Sequence, residues 1–168
     1  SGALYVSEYG GHDRISVFDP DGTWVRSIGH PGEVGQVGEP AHFVRPQSIE
    51  WSRSNAILWV ADSGNHVVQG VDPNTGLTRV LIGAGMLRYP YGLEVLDDDT
   101  LLVTEYGSHR LSRWAPSGEL LGAWGAWGDS PGHTRMPWAV AWDAGSNRGY
   151  VLDTGNARIL GMPLGSLR

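Results

Sequence analysis

The sequence contains no cysteine and no lysine. Without cysteine, disulfide bonds, thiolate nucleophiles and Cys-ligated zinc sites are excluded. All 12 basic residues are therefore arginines, scattered among 18 Asp and Glu residues, and the net charge is −6. Contact with a nucleic-acid backbone relies on clustered cations, so this balance predicts no DNA binding and counts against RNA binding.

Long apolar runs are also missing from the chain. No run reaches the roughly 18 to 20 residues that cross a bilayer, so we expect no transmembrane segment and no membrane partner. The chain opens with Ser1-Gly2-Ala3 and enters a predicted strand at once, so we expect no signal peptide in this sequence. The cellular compartment stays open.

Glycine, proline and tryptophan are abundant, with 25, 10 and 8 residues in a chain of 168. They are spread evenly among Val, Leu and Ile, which is typical of many short strands joined by tight turns and not of a disordered chain. Tryptophan supplies much apolar surface from few positions. The chain is long enough to build one hydrophobic core.

Three landmarks recur along the chain with a common order. The first is an apolar run that ends in an acid and a Gly turn, with the acids at Glu8, Asp62, Glu105 and Asp153. The second is a proline that opens an apolar stretch, at Pro46, Pro90 and Pro137. The third is a proline turn, at residues 19–22, 72–76, 115–118 and 162–165. Repeats of roughly 40 to 50 residues indicate a repetitive architecture.

Each repeat is predicted to form four strands, a to d. Strand a follows the opening proline (47–51), strand b runs into the acid (57–61), strand c follows the Gly turn (14–18) and strand d follows the proline turn (24–28). Four-stranded units of this length are β-propeller blades, so the predicted class is all-β. The predicted blades cover about 3–29, 44–83, 88–125 and 135–168, with a loop insertion at 29–43.

The predicted strands stop short of four full blades. Blade 1 lacks strand a and blade 4 has little or no strand d, which gives about 14 strands. Such an arc exposes apolar end faces and edge strands, and both promote association. We therefore expect a homodimer in which two copies close one ring of about eight blades. The alternative is a shortened piece of a longer propeller.

The repeats resemble those of the NHL family. Residues 151–159, Val-Leu-Asp-Thr-Gly-Asn-Ala-Arg-Ile, and residues 132–137, Gly-His-Thr-Arg-Met-Pro, carry the resemblance most clearly. It covers nearly the whole chain, points to bacterial-type repeats and implies a propeller. NHL propellers include lyases, sensor domains and RNA or protein binders, so the resemblance leaves the function open.

The repeated acids are predicted to be structural clasps and not catalysts. A carboxylate at this position can accept N–H bonds from the Gly turn and pair with the arginine that follows. The predicted pairs are Glu8 with Arg14, Glu105 with Arg110, and Asp153 with Arg158. Asp62 departs from the pattern because Val67 stands where the arginine is expected.

An aromatic rim is the preferred binding surface. The b–c turns and d–a loops share one face of a propeller. The ligand-binding candidates on this face are Tyr9, Gln47, Tyr91, Tyr106 and Trp138. Aromatic rings at a channel mouth can stack on a peptide side chain, a sugar or a base. The long 29–43 loop, with His30 and His42, is expected on the same face.

Two sets of titratable residues are candidate cation sites. His12, His66 and His109 occupy matching b–c turns, but matching points on neighbouring blades are expected to lie too far apart to share a metal at about 2 Å. Glu50 and Glu94 match in the innermost strand and could line a channel that binds a cation or supports acid–base chemistry. Ala141 stands at the third matching position, and no cofactor is predicted.

The sequence lacks a Gly-x-Ser-x-Gly elbow, a phosphate loop and a dinucleotide fingerprint. The favoured interpretation is a non-catalytic scaffold for a protein, peptide or carbohydrate ligand. One alternative is a remnant of a metal-dependent propeller enzyme that resembles the amidating lyases, and it rests on the fold alone. The other is an RNA-binding NHL domain, which the acidic balance disfavours.

Overall fold

The computed structural model describes residues 2–167, which form sixteen strands and two short 3-10 helices. Ser1 and Arg168, the last residue of predicted blade 4, lie outside the described residues. Fourteen strands belong to four antiparallel sheets with three, four, four and three strands in chain order. Within residues 2–167, no helix has the length and apolarity needed to cross a membrane.

The four sheets are the predicted blades, each with neighbouring strands paired in sequence order. Blade 1 comprises β1 (Leu4–Glu8), β2 (Arg14–Phe18) and β3 (Trp24–Ile28). Blade 2 comprises β6 (Pro46–Ser52), β7 (Ile57–Asp62), β8 (Val67–Val71) and β9 (Thr78–Ile82). Blade 3 comprises β10 (Pro90–Val95), β11 (Leu101–Glu105), β12 (Arg110–Trp114) and β13 (Leu120–Trp124). Blade 4 comprises β14 (Pro137–Asp143), β15 (Arg148–Asp153) and β16 (Arg158–Pro163), and the 3-10 helix Leu164–Ser166 follows it.

The segment predicted as a plain loop at 29–43 carries two short strands. β4 (His30–Pro31) and β5 (His42–Phe43) pair in parallel between blades 1 and 2. Gly29 makes this possible because a Cβ there would lie 2.3 Å from the Phe43 ring. The link between blades 3 and 4 repeats the arrangement with a parallel bridge from Trp127 to Thr134. The difference from the sequence prediction arises because parallel pairing across a long link leaves no alternating pattern to read.

The turns follow the chemistry of their residues. In the proline turn of blade 1, Gly22 adopts a φ of 86° and its N–H donates to the Asp19 carbonyl at 2.9 Å. Glu8 and Arg14 face each other at the ends of β1 and β2, so the extra residue of this repeat lies in the turn and not in either strand. Both Gly10 and Gly11 have positive φ there.

The core lies between the blades. We call the side of a blade that packs on the preceding blade its front face and the other side its back face. The back face of blade 2 contributes Trp59, Ala61, Val68 and Ile82, which pack on Leu93, Leu101, Val103 and Trp114 of the front face of blade 3. Matching positions form the contacts of blade 1 with blade 2 and of blade 3 with blade 4. Each fully buried aliphatic side chain contributes about 1.5–3 kcal/mol.

Candidate functional site

The candidate binding surface lies where the inner strands of blades 2 to 4, which are β6, β10 and β14, begin. The same edge of each blade carries the turn between its second and third strands, the predicted b–c turn. The prolines that open β6, β10 and β14 face the acids that end β7, β11 and β15. In each blade the strand register shifts directly after the proline. The residues at these irregularities are Gln47, Tyr91 and Trp138. A bulge redirects a side chain, so the repeat itself aims these three residues at one edge. We call this edge the loop face.

Tyr91, Tyr106 and Trp138 form one aromatic cluster where blades 3 and 4 meet. The Tyr91 and Tyr106 rings are stacked, with centroids 4.7 Å apart and planes 21° apart. Trp138 packs edge-on, 5.1 Å from Tyr91 and 6.4 Å from Tyr106. The Tyr106 hydroxyl donates to Met136 Sδ at 3.2 Å. Trp138 remains 46% exposed and Met136 40% exposed, so the cluster is an open surface with fixed rings.

A buried hydroxyl connects the two inner strands that carry this cluster. Thr104 Oγ1 accepts the Gly92 N–H at 2.7 Å, and the Thr104 hydroxyl donates to the Trp138 carbonyl at 3.1 Å. Thr104 thereby connects the backbone next to Tyr91 with the backbone of Trp138. Ala61 and Leu152 occupy the matching strand positions of blades 2 and 4, and neither has a hydroxyl. Ser7 holds this position in blade 1, but that sheet has no inner strand for its hydroxyl to contact. This support is therefore specific to the junction of blades 3 and 4.

The other two predicted ligand residues lie outside the cluster. Tyr9 is 54% exposed, and the Arg45 guanidinium lies 5.6 Å from its ring centroid. Gln47 is half-buried at the opening of β6. The structure therefore brings together three of the five candidates.

His66 and His109 connect successive blades. The Nδ1 atom of His66 accepts the Tyr89 N–H at 3.1 Å, and Nδ1 of His109 accepts the Met136 N–H at 3.0 Å. A backbone N–H can only donate, so Nδ1 is the acceptor in both rings. His12 is exposed in the first turn. Within residues 2–167, no three His, Asp or Glu side chains are grouped so that they could hold a metal ion.

Glu50 and Glu94 occupy matching positions in the inner strands β6 and β10. Burial, followed by the negative charge of Glu94, raises the pKa of Glu50 to about 7. Burial also raises the pKa of Glu94, against a hydrogen bond from the Trp142 backbone. The two carboxyl groups therefore retain protons at a higher pH than solvated glutamates do.

This elevated pKa predicts that Glu50→Gln stabilises the chain at alkaline pH. Because the folded-state pKa lies above the ordinary value of 4.5, the contribution of Glu50 to stability is present below pH 4.5 and is lost as the pH rises towards 7. We expect urea unfolding at pH 8 to show a gain of about 1 kcal/mol, after allowance for solvent screening. The gain should shrink at pH 5. Glu119→Gln, at an exposed turn, is the control and should gain nothing at either pH.

The repeated acids differ strongly in burial. Asp153 is fully buried and accepts hydrogen bonds from the Arg135 N–H at 2.6 Å, from Asn156 at 2.8 Å and from Arg158 Nε at 2.8 Å. Glu105 is also fully buried and pairs with Arg110 Nε at 2.8 Å. Glu8 pairs with Arg14 at 3.4 Å, and both side chains are 35% exposed. The predicted ion pairs are all present in the structure, with very different shielding from solvent.

Asp62 has an amide where its counterparts have a guanidinium. Gln69 Nε2 lies 2.7 Å from Asp62 Oδ2 and 2.7 Å from the His42 carbonyl. Arg158 makes the same two contacts in blade 4, to Asp153 and to the His133 carbonyl. Burial raises the pKa of Asp62 to about 6, although its three hydrogen-bond donors oppose the rise.

Sequence reasoning missed Gln69 and Thr104. Gln69 lies two residues after Val67, on the same face of β8, so an alternating-face search for a polar partner of Asp62 would have found it. Thr104 gave no signal in the sequence, because its two partners are backbone groups on different inner strands.

Comparisons with known proteins agree with the fold. No protein-family model matches the chain. "NHL repeat-containing protein 2" from human and from cattle is 39% identical over 54 residues, which is 32% of this chain and 7% of those proteins. Because these relatives are mammalian, the expected bacterial origin stays a prediction.

Solved structures superpose over almost the whole chain. In a nidogen/laminin complex the TM-score is 0.76 at 19% identity, covering 97% of this chain and 56% of that chain. Virginiamycin B lyase from Staphylococcus aureus gives 0.61 at 20% identity, covering 96% and 52%. An auxiliary nutrient binding protein from Bacteroides ovatus gives 0.65 at 20% identity, covering 96% and 46%. The chain thus spans about half the length of these structures.

The four successive antiparallel sheets of three or four strands, stacked front to back and superposable on these structures, define the chain as a β-propeller protein. Over 54 residues its repeats are similar to those of NHL repeat-containing protein 2. The sequence prediction of an NHL-type propeller is confirmed.

Proposed function

We propose that this chain is a non-catalytic binding module that takes a protein or peptide ligand on its loop face. One observation carries the proposal. Trp138 and Met136 beside it are about half exposed, yet the buried Thr104 hydroxyl binds the Trp138 carbonyl and His109 accepts the Met136 N–H, so the backbone of both residues is held in place. An exposed apolar surface whose backbone is held by buried hydrogen bonds binds a partner with little loss of side-chain freedom.

The composition of the loop face favours a protein or peptide over a sugar. Tyr89, whose carbonyl accepts the Tyr106 N–H at 3.0 Å, is 48% exposed, and Trp127 in the link between blades 3 and 4 is 65% exposed. The Arg135 guanidinium lies 5.5 Å from the Trp127 ring centroid. Tyr, Trp, Met and Arg are the residues enriched at the centres of protein interfaces, and Trp, Tyr and Arg dominate their binding energy.

The titratable groups of the loop face support a binding role. His66 and His109 use Nδ1 to accept backbone N–H groups, and Asp153 accepts hydrogen bonds from three donors. Side chains that are committed to backbone contacts are poorly placed to transfer protons to a substrate. The nidogen/laminin complex is an example of a structural neighbour with a protein partner.

A selection from a random linear peptide library tests the proposal. Peptides are selected on the wild-type chain, and their affinities are then measured by calorimetry for wild type and for Trp138→Ala. We expect about a thirtyfold loss with Trp138→Ala, as for a central aromatic residue of an interface.

Trp51→Ala is the matched control. Trp51 is 41% exposed, but it lies near the opposite end of its inner strand and stacks on Tyr5. Peptide affinity should be unchanged in this variant. Equal losses in the two variants would contradict the proposal. So would a panel of neutral oligosaccharides that binds through Trp138 when no peptide does.

A further inference from the structure

The loop face also carries a pocket where blades 2 and 3 meet. Its volume is about 300 Å³, and it is lined by Asn65, His66, Gly85, Leu87 and Arg88. The first two residues lie in the turn between β7 and β8, and the other three lie in the link between β9 and β10. Leu87 is buried and forms an apolar wall. No carboxylate among residues 2–167 lines this pocket, which we call the Arg88 pocket.

The Arg88 guanidinium has no hydrogen bond, ion pair or ring contact among residues 2–167. Only its backbone is engaged, since its carbonyl accepts the Gly107 N–H at 3.0 Å. Arg135 holds the same repeat position at the next junction, where its carbonyl accepts the Gly155 N–H at 2.8 Å. The Arg135 guanidinium lies against the Trp127 ring. The link at 83–89 is shorter and contains no tryptophan, so the donors of Arg88 stay available to a ligand.

His66 supplies a second donor. Its Nδ1 atom accepts the Tyr89 N–H, so the neutral ring carries its hydrogen on Nε2. No residue among 2–167 accepts a hydrogen bond from this Nε2–H. The Tyr89 ring packs edge-on against His66, with centroids 4.3 Å apart, and holds the imidazole in place. Asn65 is held as well, because its amide donates to the Gly32 carbonyl and to Asp62. The pocket therefore combines a permanent positive charge with a fixed neutral donor.

We propose that the Arg88 pocket binds a carboxylate group of the peptide ligand, from an Asp or Glu side chain or from the chain terminus. This inference rests on the binding role proposed above. A guanidinium donates two parallel N–H bonds to a carboxylate, which selects the anion by shape as well as by charge. Phosphorylated residues are instead recognised by clusters of arginines, and this pocket has one.

The position of the pocket fits a short peptide that also contacts the aromatic cluster. Tyr89 follows Arg88 in the chain, and its carbonyl accepts the N–H of Tyr106, a member of the cluster, at 3.0 Å. The two sites are thus joined by one backbone hydrogen bond. A ligand with an apolar residue on Trp138 and a carboxylate near it in sequence would occupy both.

Titration with small carboxylates, followed by NMR, tests the pocket without a selected peptide. N-acetyl-glutamate α-amide carries only a side-chain carboxylate, N-acetyl-leucine carries only a terminal one, and N-acetyl-glutamine α-amide carries neither. At millimolar concentration, at least one carboxylate should shift the signals of the His66 ring and the Arg88 Nε–H, and the neutral probe should shift neither. The carboxylate that binds more tightly identifies the source. Absence of shifts with both carboxylates, or a larger response to N-acetyl-phosphoserine amide, would overturn the proposal.

Arg88→Gln removes the charge and leaves the backbone hydrogen bond to Gly107 intact, so circular dichroism should show the wild-type fold. We expect this variant to bind a peptide selected on the wild-type chain about tenfold more weakly. Arg53→Gln is the matched control, because Arg53 is an exposed arginine directly after β6, at the opposite edge, and has no ion pair among residues 2–167. Its peptide affinity should equal that of the wild type.

The two proposals fail in different ways. Peptides that need Trp138 but bind equally well to wild type and to Arg88→Gln would overturn the carboxylate site and leave the binding role intact. Carboxylate shifts at His66 and Arg88 in a chain that selects no peptide would support the carboxylate site and contradict the peptide-binding role.

Discussion

Asp153→Ala is expected to destabilise the chain by about 3–4 kcal/mol. The substitution leaves the Arg135 N–H, the Asn156 amide and the Arg158 guanidinium without their shared acceptor. The carboxylate is fully buried, so water does not readily replace it. Losing a buried acceptor that serves several partly buried donors is among the costlier single changes. Urea denaturation at pH 7 measures the difference.

Glu8→Ala is the matched control, because Glu8 holds the same repeat position in blade 1. Its side chain is 35% exposed and its distance to Arg14 is 3.4 Å. Exposed pairs contribute about 0–1 kcal/mol, so this variant should lose no more than that. Similar losses in the two variants would show that burial does not distinguish the repeated acids.

Gly92→Ala is expected to destabilise the chain by about 2–3 kcal/mol and to disturb the aromatic cluster. An added Cβ would lie 2.7 Å from Ala139 Cα and 2.8 Å from the Trp138 carbonyl oxygen. Both atoms belong to the backbone of the neighbouring inner strand, so blades 3 and 4 would have to separate. Thermal unfolding should report the loss of stability, and near-ultraviolet circular dichroism should report the altered packing of Tyr91 and Trp138.

Gly149→Ala provides the same chemical change where space exists. Gly149 is a buried strand glycine, but its added Cβ would meet Met162 and Trp142 only at 3.8 and 3.9 Å. We expect neutral to slightly higher stability, since alanine restricts the unfolded chain. If both variants behave alike, the close approach at Gly92 is not what holds the two blades together.

Much of the fold could be predicted because its signals are local. The predicted strands at 14–18 and 24–28 coincide with β2 and β3, which are bounded by a Gly turn and a proline turn. The blade count followed from three landmarks in constant order. The parallel pairing of β4 with β5 could not be predicted, because it depends on close packing between Gly29 and Phe43.

The candidate site was predicted in part for a similar reason. The repeat register placed Tyr91, Tyr106 and Trp138 at one edge, since each has a fixed position relative to a proline or an acid. Tyr9 shares that position but stands apart next to Arg45. Register determines the edge on which a side chain lies, whereas contact between rings depends on the distance between blades. That distance is set by Gly92 and Thr104, whose partners are far away in sequence.

Chemical-shift mapping with a peptide selected on the wild-type chain tests the central claim most directly. A binding module that uses the loop face predicts that the largest shifts fall on the Trp138 indole, the Tyr106 ring and the Met136 methyl group. Shifts concentrated at Trp51 and Trp142, or on the back face of blade 4, would contradict it.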